Sequence, residues 1–288
     1  MMRSKEDVTM KRIFKTTLSL VTALCMTCSM IAPVFAEEKD EAVTVDKDLE
    51  EQSLSIMTYN IKVGRHKIDD STDRRTIDQN LTNIAKEIIK YAPDIVGFQE
   101  VDDNTIRTNK QDQIKILAEK TGYPYYTFTK AIDYQGGGYG HAILSRYPIE
   151  SCTSTTIPVF KKGQEQRALS HAVIDVNGTE VNFFNTHINS GTDGTSQHAF
   201  DKIAEVVTKF DNAILTGDFN ARYSTGYFNT FKGFKCVNMG NHVTTADNGN
   251  SIDNICYTKE FGVVCSAVAP EEHSDHYLVY GLLTFKRK

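Results

Sequence analysis

Short apolar runs rich in β-branched and aromatic residues alternate along this chain with a few stretches of helical period. Leu54–Asn60 and Asp94–Glu100 read as strands, and between them Ile77, Leu81, Ile84, Ala85, Ile88 and Ile89 recur at the spacing that lines one face of a helix. The chain therefore opens with a β-α-β unit. A second helix is predicted at Gln111–Lys120, stopped by Gly122, which accepts a left-handed backbone, and by Pro124, which lacks a backbone donor. A long β-rich stretch follows. Ala168–Val176 and Thr179–His187 alternate around Asn177-Gly178, the dipeptide suited to a two-residue hairpin turn. A third helix is predicted at Gln197–Phe210 from Ala199, Ile203, Ala204, Val207 and Phe210, and Ala213–Gly217, Ser251–Tyr257, Gly262–Val268 and Tyr277–Phe285 supply further strands. Many strands with helices between only some of them predict an α+β fold. Its expected form is a four-layer α/β/β/α sandwich of two packed, mainly antiparallel sheets flanked by helices.

The chain's beginning does not fit that pattern. A basic start (Arg3, Lys5, Lys11, Arg12, Lys15) leads into an apolar run from Leu18 to Val34, and Val34-Phe35-Ala36 offers small residues for cleavage after Ala36, so residues 1–36 read as a signal peptide. An uncleaved membrane anchor is the alternative, since a run of about 18 apolar residues can span a bilayer. Residues 37–52 are acidic and short of large apolar side chains, a flexible tether, and residues 53–288 read as one domain. Without the first 36 residues the chain carries 27 basic against 35 acidic side chains, a net charge that excludes a basic nucleic-acid clamp and predicts weak, salt-sensitive binding to polyanions. It does not exclude a phosphate substrate, because bound metal ions offset a carboxylate cluster locally. Cys25 and Cys28 leave with the signal, while Cys152, Cys236, Cys256 and Cys265 remain for an oxidising compartment. Cys256 and Cys265 flank what reads as a hairpin and are the expected pair, with buried free thiols as the alternative. No obligate protein partner is evident, and a monomer is expected.

Candidate chemistry gathers at strand ends. In Ile214-Leu215-Thr216-Gly217-Asp218-Phe219-Asn220 an apolar strand ends in a carboxylate and an amide two positions apart, so Asp218 and Asn220 share a face while Phe219 turns back to the core. An Asx turn at a strand end is the bland reading. Phe183–Asn189 repeats the geometry with His187 and Asn189, and a histidine there can assist a leaving oxygen or contact a phosphate. Ser274-Asp275-His276 precedes another strand. Asp253 is a lone acid in an apolar run, costly to bury without a partner, and His276 is the partner expected. Glu100 and Asn60 close two more strands. Hard oxygen ligands of this kind suit Mg²⁺, with Mn²⁺ or Ca²⁺ as alternatives, far better than Zn²⁺. Six strand ends with such side chains are jointly specific although each is weak alone.

In order along the chain, MTYNI, DIVGFQEV, AILSRYPI, NTHIN, LTGDFNA, SIDNI and SDHYLV resemble the motifs of the endonuclease/exonuclease/phosphatase superfamily, from about Leu54 to Leu283. The resemblance implies a metal-dependent phosphoester hydrolase. It implies Glu100, Asn60 and Asp275 at the metal and His276, oriented by Asp253, as general base or phosphate-contacting imidazole. Asp218 would orient the attacking water, Asn220 would hold a phosphate oxygen, and His187 would stabilise the transition state or help the leaving group. Arg167 matches a phosphate-contacting position, with Asn189 beside the substrate. Arg146 reads as structural. Two positions depart from the pattern: His141 stands where relatives usually carry Asn, and Ser251 where many carry Arg. His141 is either an extra phosphate contact or a packed or exposed loop histidine beside Gly136-Gly137-Gly138.

Water is the expected nucleophile, since no serine or cysteine stands out. A phosphodiester in nucleic acid is the first substrate expected, with a phospholipid head group, an inositol phosphate or another soluble phosphate ester as rivals. Against a membrane substrate, the sequence shows no amphipathic basic helix; against DNA, no basic stripe. Tyr123, Tyr125 and Tyr126 either stack on a base or belong to a strand. The reading from another class is a domain that has lost catalysis and serves as a secreted binding or toxin module.

Overall fold

The computed structural model describes residues 51–65, 76–239, 245–246, 249–270 and 273–287. The signal-peptide reading and almost all of the tether lie outside these residues. All the described elements belong to one compact unit, Leu49–Lys288. In chain order they are β1 (Glu51–Asn60), α1 (Ile77–Tyr91), β2 (Ile95–Asp103), α2 (Gln113–Thr121), β3 (Tyr125–Tyr134), β4 (Gly137–Ser145), β5 (Ile149–Ile157), β6 (Arg167–Val176), β7 (Thr179–His187), α3 (Thr195–Val207), β8 (Ala213–Asp218), β9 (Phe234–Cys236), β10 (Asp253–Thr258), β11 (Phe261–Ala269) and β12 (Leu278–Lys286).

Local chemistry sets the helix ends. Thr76 and Gln79 form a reciprocal capping box at the start of α1. Asp112 accepts the Lys115 amide and so starts α2 later than the apolar pattern implied, and Gly122 at φ 76° ends it. The strands form two six-stranded sheets, ordered β11-β12-β1-β2-β4-β3 and β5-β6-β7-β8-β10-β9. Each has one parallel pair, β1 with β2 and β7 with β8, joined by the crossovers that carry α1 and α3, and is otherwise antiparallel. The sandwich expected from the sequence is the fold observed.

Strand alternation divides the apolar residues among three cores. In β1, Leu54 and Ile56 face the other sheet, while Met57 and Tyr59 face α1 and α2. In β7 and β8, Phe183 and Ile214 enter the core between the sheets, while Phe184 and Leu215 meet Phe200 and Ile203 of α3. Each such fully buried large side chain contributes roughly 1.5–3 kcal/mol of transfer free energy. Toward one end the inter-sheet layer turns polar. Asn185 Nδ2 donates to Phe98 O at 2.8 Å and Ala142 O at 3.1 Å, and its Oδ1 accepts from Gln99 Nε2 at 2.7 Å and Thr216 Oγ1 at 3.1 Å. At Gly97 the sheets come so close that a Cβ would lie 2.3 Å from Thr216 Oγ1. This bonded layer fixes the register of one sheet on the other directly beneath the strand ends that carry the candidate chemistry.

The disulfide expectation needs correction. The bond joins Cys236 to Cys256, which face each other across β9 and β10. Cys265 is in the other sheet, because the stretch read as a hairpin passes from β10, paired with β8 and β9, to β11, paired with β12. Cys152 on β5 forms no disulfide.

Two further readings acquire a place. Arg146 is structural: its Nε donates to Pro93 O at 3.1 Å and its guanidinium lies over the Tyr123 ring. Tyr125 and Tyr126 belong to the edge strand β3, opposite Ser145 and Leu144, which in turn pair with Ile95 and Val96 at the end of β2 remote from Glu100. They do not reach the candidate site.

Candidate active site

β1, β2, β7 and β8 all run toward the same end of the sandwich, where β10 begins and the segment before β12 crosses. Their inward-facing residues beyond the polar layer are Asn60, His187, Asp218 and Asp253. In the second sheet His187 pairs with Asp218 across β7 and β8, and Asp218 with Asp253 across β8 and β10. Gly217 permits this packing, since a Cβ there would meet Thr186 O at 2.5 Å.

Glu100 reaches the same mouth by a different device. It does not end β2, which continues to Asp103; it is the extra residue of a β-bulge, with Gln99 opposite His141 and Val101 opposite Gly140. Its φ is 53°, a left-handed value that costs a non-glycine residue roughly 1–2 kcal/mol. Regular alternation would have turned Glu100 toward the helices with Phe98. The bulge returns Val101 to that core and leaves Glu100 in the site.

The buried Asp218 carboxylate is the hub. Its Oδ2 accepts from Asn60 Nδ2 at 3.1 Å and lies 3.4 Å from His187 Nε2 and 3.7 Å from His276 Nε2, while Oδ1 accepts from the Asn220 amide at 2.9 Å. Asn60 Nδ2 also donates to Glu100 Oε1 at 3.1 Å, so one amide ties the two sheets' carboxylates together. His276 Nδ1 sits 2.9 Å from Asp253 Oδ2, the partnership expected from the sequence. Ser274 holds this corner by donating to Asn60 O at 2.7 Å. Thr245, which no sequence pattern singled out, accepts from the Asp253 amide at 3.0 Å.

Burial pushes the Asp218 carboxyl up to about 7, reinforced by the Asp253 charge. Burial also raises Glu100, partly offset by its hydrogen bond from Asn60. For His276 burial opposes protonation, but the Asp253 carboxylate, then Asp218 and Asp275, overcome it and raise the imidazole to about 10. His187 behaves in the opposite way. Burial first, then Arg167, His141 and His276, hold it well below its ordinary value. Arg167 NH1 lies 3.1 Å from His187 Nδ1 and can only donate, and a donor amide faces Nε2 as well, so the two contacts ask for opposite tautomers of the neutral imidazole. Asn220 Nδ2 lies 3.1 Å from that Nε2 and donates to Ile188 O at 2.9 Å.

Arg167 is held at this edge by Asn189 Oδ1 at 2.9 Å and Glu165 at 2.8 Å, so the structure brings Arg167, Asn189 and His187 together. His141 is in strand β4 rather than a loop. It is buried beneath Arg167, neither ring nitrogen makes a hydrogen bond of normal geometry, and burial followed by the Arg167 charge lowers it to about 3. Its alternative as an exposed loop residue is thereby corrected.

Asp275, half-exposed at the rim, has a partner that the sequence did not suggest: Lys62 Nζ lies 3.3 Å from its Oδ2. Lys62, Val63 and Gly64 take three successive left-handed conformations at φ 47°, 50° and 72°. The buried side chains Gln113 and Asn80 clamp this turn, donating to Val63 O at 2.7 Å and Gly64 O at 3.1 Å. Gly64 was the one legible sign of a turn here.

The donors suit a hard divalent cation. Asp218 and Asp253 cluster with His276, their polar atoms within 4.8 Å of one another, and offer carboxylate oxygens, while the buried Asp253 Oδ1 has no hydrogen-bond partner. Glu100, Asn60 and Asp275 add oxygens beside them, an acidic set that fits Mg²⁺, Mn²⁺ or Ca²⁺.

Residues 57–276 match the Endonuclease/Exonuclease/phosphatase family. A 5'-tyrosyl-DNA phosphodiesterase of Caenorhabditis briggsae is 25% identical over 204 residues, 67% of this chain and 52% of that protein, so the chain spans about half the length of this relative. Among solved structures, an endonuclease/exonuclease/phosphatase family protein from Bacteroides thetaiotaomicron superposes with a TM-score of 0.66 at 20% identity, covering 82% of this chain and 96% of that one. A mannosyl-6-phosphatase from the same organism gives 0.60 at 21% identity, covering 80% and 99%. At such identity these structures establish the shared fold.

Proposed function

We propose that this chain, which belongs to the endonuclease/exonuclease/phosphatase family of phosphoester hydrolases, is a secreted, divalent-metal-dependent phosphodiesterase that uses water as its nucleophile. The observation that carries this reading is the setting of Asp218: one buried carboxylate with an amide at 3.1 Å and two imidazoles at 3.4 and 3.7 Å, at the end where both sheets converge. In this setting the Asp218 carboxylate is placed to take a proton from the attacking water. Asn60 and the Asn220 backbone amide orient it.

The other residues then divide the work. His276, held as a cation by Asp253, contacts a phosphate oxygen rather than acting as the base. His187, held neutral by its burial and by Arg167, hydrogen-bonds the charge building on the phosphoryl or leaving oxygen. Arg167 presents its guanidinium at the same edge, beside His187 Nδ1. Glu100, Asn60 and Asp275 would hold the cation, with Asp218 and Asp253 adjoining. Bound there, the ion supplies Lewis-acid polarisation of a phosphoryl oxygen and offsets charge on the leaving oxygen.

Nucleic acid is the first substrate class, supported by the likeness to a tyrosyl-DNA phosphodiesterase over half of that protein. Export rests on the basic and apolar pattern of residues 1–36. The test is a substrate panel of plasmid DNA, RNA, sphingomyelin and a small phosphomonoester, each with and without chelator. Cleavage of a nucleic acid that chelator abolishes, and that His187→Ala or His276→Ala lowers by about two orders of magnitude or more, is the expected result. Activity undiminished in both variants would place the chemistry elsewhere, and cleavage of the monoester alone would overturn the diester assignment.

A further inference from the structure

The turn after β1 is built at a cost its visible contacts do not explain. Lys62 and Val63 are non-glycine residues in left-handed conformations, and Gln113 on Val63 O and Asn80 on Gly64 O hold the turn. Asn60 joins in, because its Oδ1 accepts the Lys62 amide at 3.1 Å while its Nδ2 serves Glu100 and Asp218. The backbone of Lys62 is thus coupled to the side chain at the centre of the site. The turn also sets one ammonium group 3.3 Å from Asp275 Oδ2, with the two side chains 22% and 38% exposed. An ion pair as open to water as this stabilises too little to account for a clamped, strained turn.

We infer that Lys62 is a substrate-binding residue, whose ammonium engages a non-bridging oxygen of the substrate phosphate and uses Asp275 as its resting partner. Asp275 is one of the oxygens suited to the divalent cation. An ammonium and a cation compete for the same carboxylate and repel each other, so a cation on Asp275 releases Nζ. Val63 is buried and the Lys62 amide is bonded to Asn60, so the residue cannot swing away as a whole. Only its flexible four-carbon stem moves, and the anion that enters beside the cation is the charge left for it to meet. Arg167 and His187 stand together at another part of the mouth, and Lys62 is set beside Asp275 instead. The phosphate is then gripped from the cation side as well as from the guanidinium side.

This inference rests on the phosphoesterase reading but can fail separately from it. Lys62→Met keeps the stem and removes the charge; Lys62→Arg keeps the charge. With saturating Mn²⁺ and the phosphodiester that the parent cleaves, Lys62→Met is expected to raise KM about tenfold or more with kcat nearly unchanged, the signature of lost uniform binding. Inorganic phosphate should weaken as a competitive inhibitor by a similar factor, Lys62→Arg should restore most of both, and the Mn²⁺ affinity of Lys62→Met, measured by calorimetry, should be unchanged or tighter. Unaltered KM and phosphate inhibition in Lys62→Met would overturn the inference. So would a loss of Mn²⁺ affinity in that variant, because Lys62 would then act by holding Asp275. If the parent cleaves no phosphoester, the phosphoesterase reading fails, and calorimetric titration of inorganic phosphate into Mn²⁺-loaded parent and Lys62→Met still decides the role of Lys62.

Discussion

Asp253→Asn perturbs the site at a point where the structure sets the magnitude. The substitution keeps the shape of the side chain beside His276 Nδ1 and removes the carboxylate that lies 2.9 Å away. The rise of His276 from 6.5 to about 10 corresponds to roughly 5 kcal/mol of preference for the imidazolium, achieved against its own burial. Asp253 is the largest favourable contributor, ahead of Asp218 at 3.7 Å from Nε2. Its loss should therefore return His276 to near or below neutrality. Because the folded value is raised, the stability this group contributes is fully present below pH 6.5 and is lost as pH rises through about 10. Asp218 works in the same sense in a lower window: raised from 3.8 to about 7, it favours the fold below pH 3.8 and that contribution is lost as pH rises through about 7. Removing the Asp253 charge relieves part of that shift too. Urea unfolding in chelator between pH 4 and pH 10 should show a parent whose stability declines across both windows and a variant with a flatter profile. Nuclear magnetic resonance of the His276 ring should show its titration moved down by more than one unit. Hydrolysis at pH 7.5 should fall by about two orders of magnitude or more. An Asp253→Asn protein with the parent's alkaline slope and an unmoved His276 titration would refute the assignment of His276 as a carboxylate-held cation.

Three further outcomes follow from other parts of the molecule. Replacing Cys236 and Cys256 together by serine should lower the unfolding free energy by about 3 kcal/mol, from the loop entropy of a 20-residue separation, while kcat/KM stays within a few-fold, since Thr245 and β8 still hold Asp253. Glu100→Gln should weaken Mn²⁺ binding by about tenfold or more in calorimetry. In the parent, binding should fall as pH drops through the raised Glu100 value, because the cation needs the carboxylate that burial disfavours. Asn185→Leu removes four hydrogen bonds from the buried inter-sheet layer, although Gln99 keeps Thr58 and Thr216 keeps Phe184 O, and should cost about 3 kcal/mol in urea unfolding, with a lowered Tm.

The strand ends were legible in the sequence because a strand has only two faces. Once Leu54 and Ile56 are assigned to one core and Met57 and Tyr59 to the other, Asn60 must follow the first pair, and the same rule carries His187 and Asp218 into the mouth. Glu100 obeys the rule only through its exception. Phe98 and Val101 share one core at a spacing of three, which no regular strand allows, so the bulge was written in the apolar spacing although the direction of its side chain was not. Cys236 and Lys62 were beyond reach for a different reason. Which cysteine meets Cys256 depends on a change of sheet between β10 and β11, and where the Lys62 ammonium lies depends on Gln113 and Asn80 from two separate helices. Neither contact leaves a period in the sequence. The strand-end residues belong to the first kind of information and Arg167, Asn189 and the Lys62 ammonium to the second, because hydrogen bonds between separate elements rather than alternation set where those side chains lie.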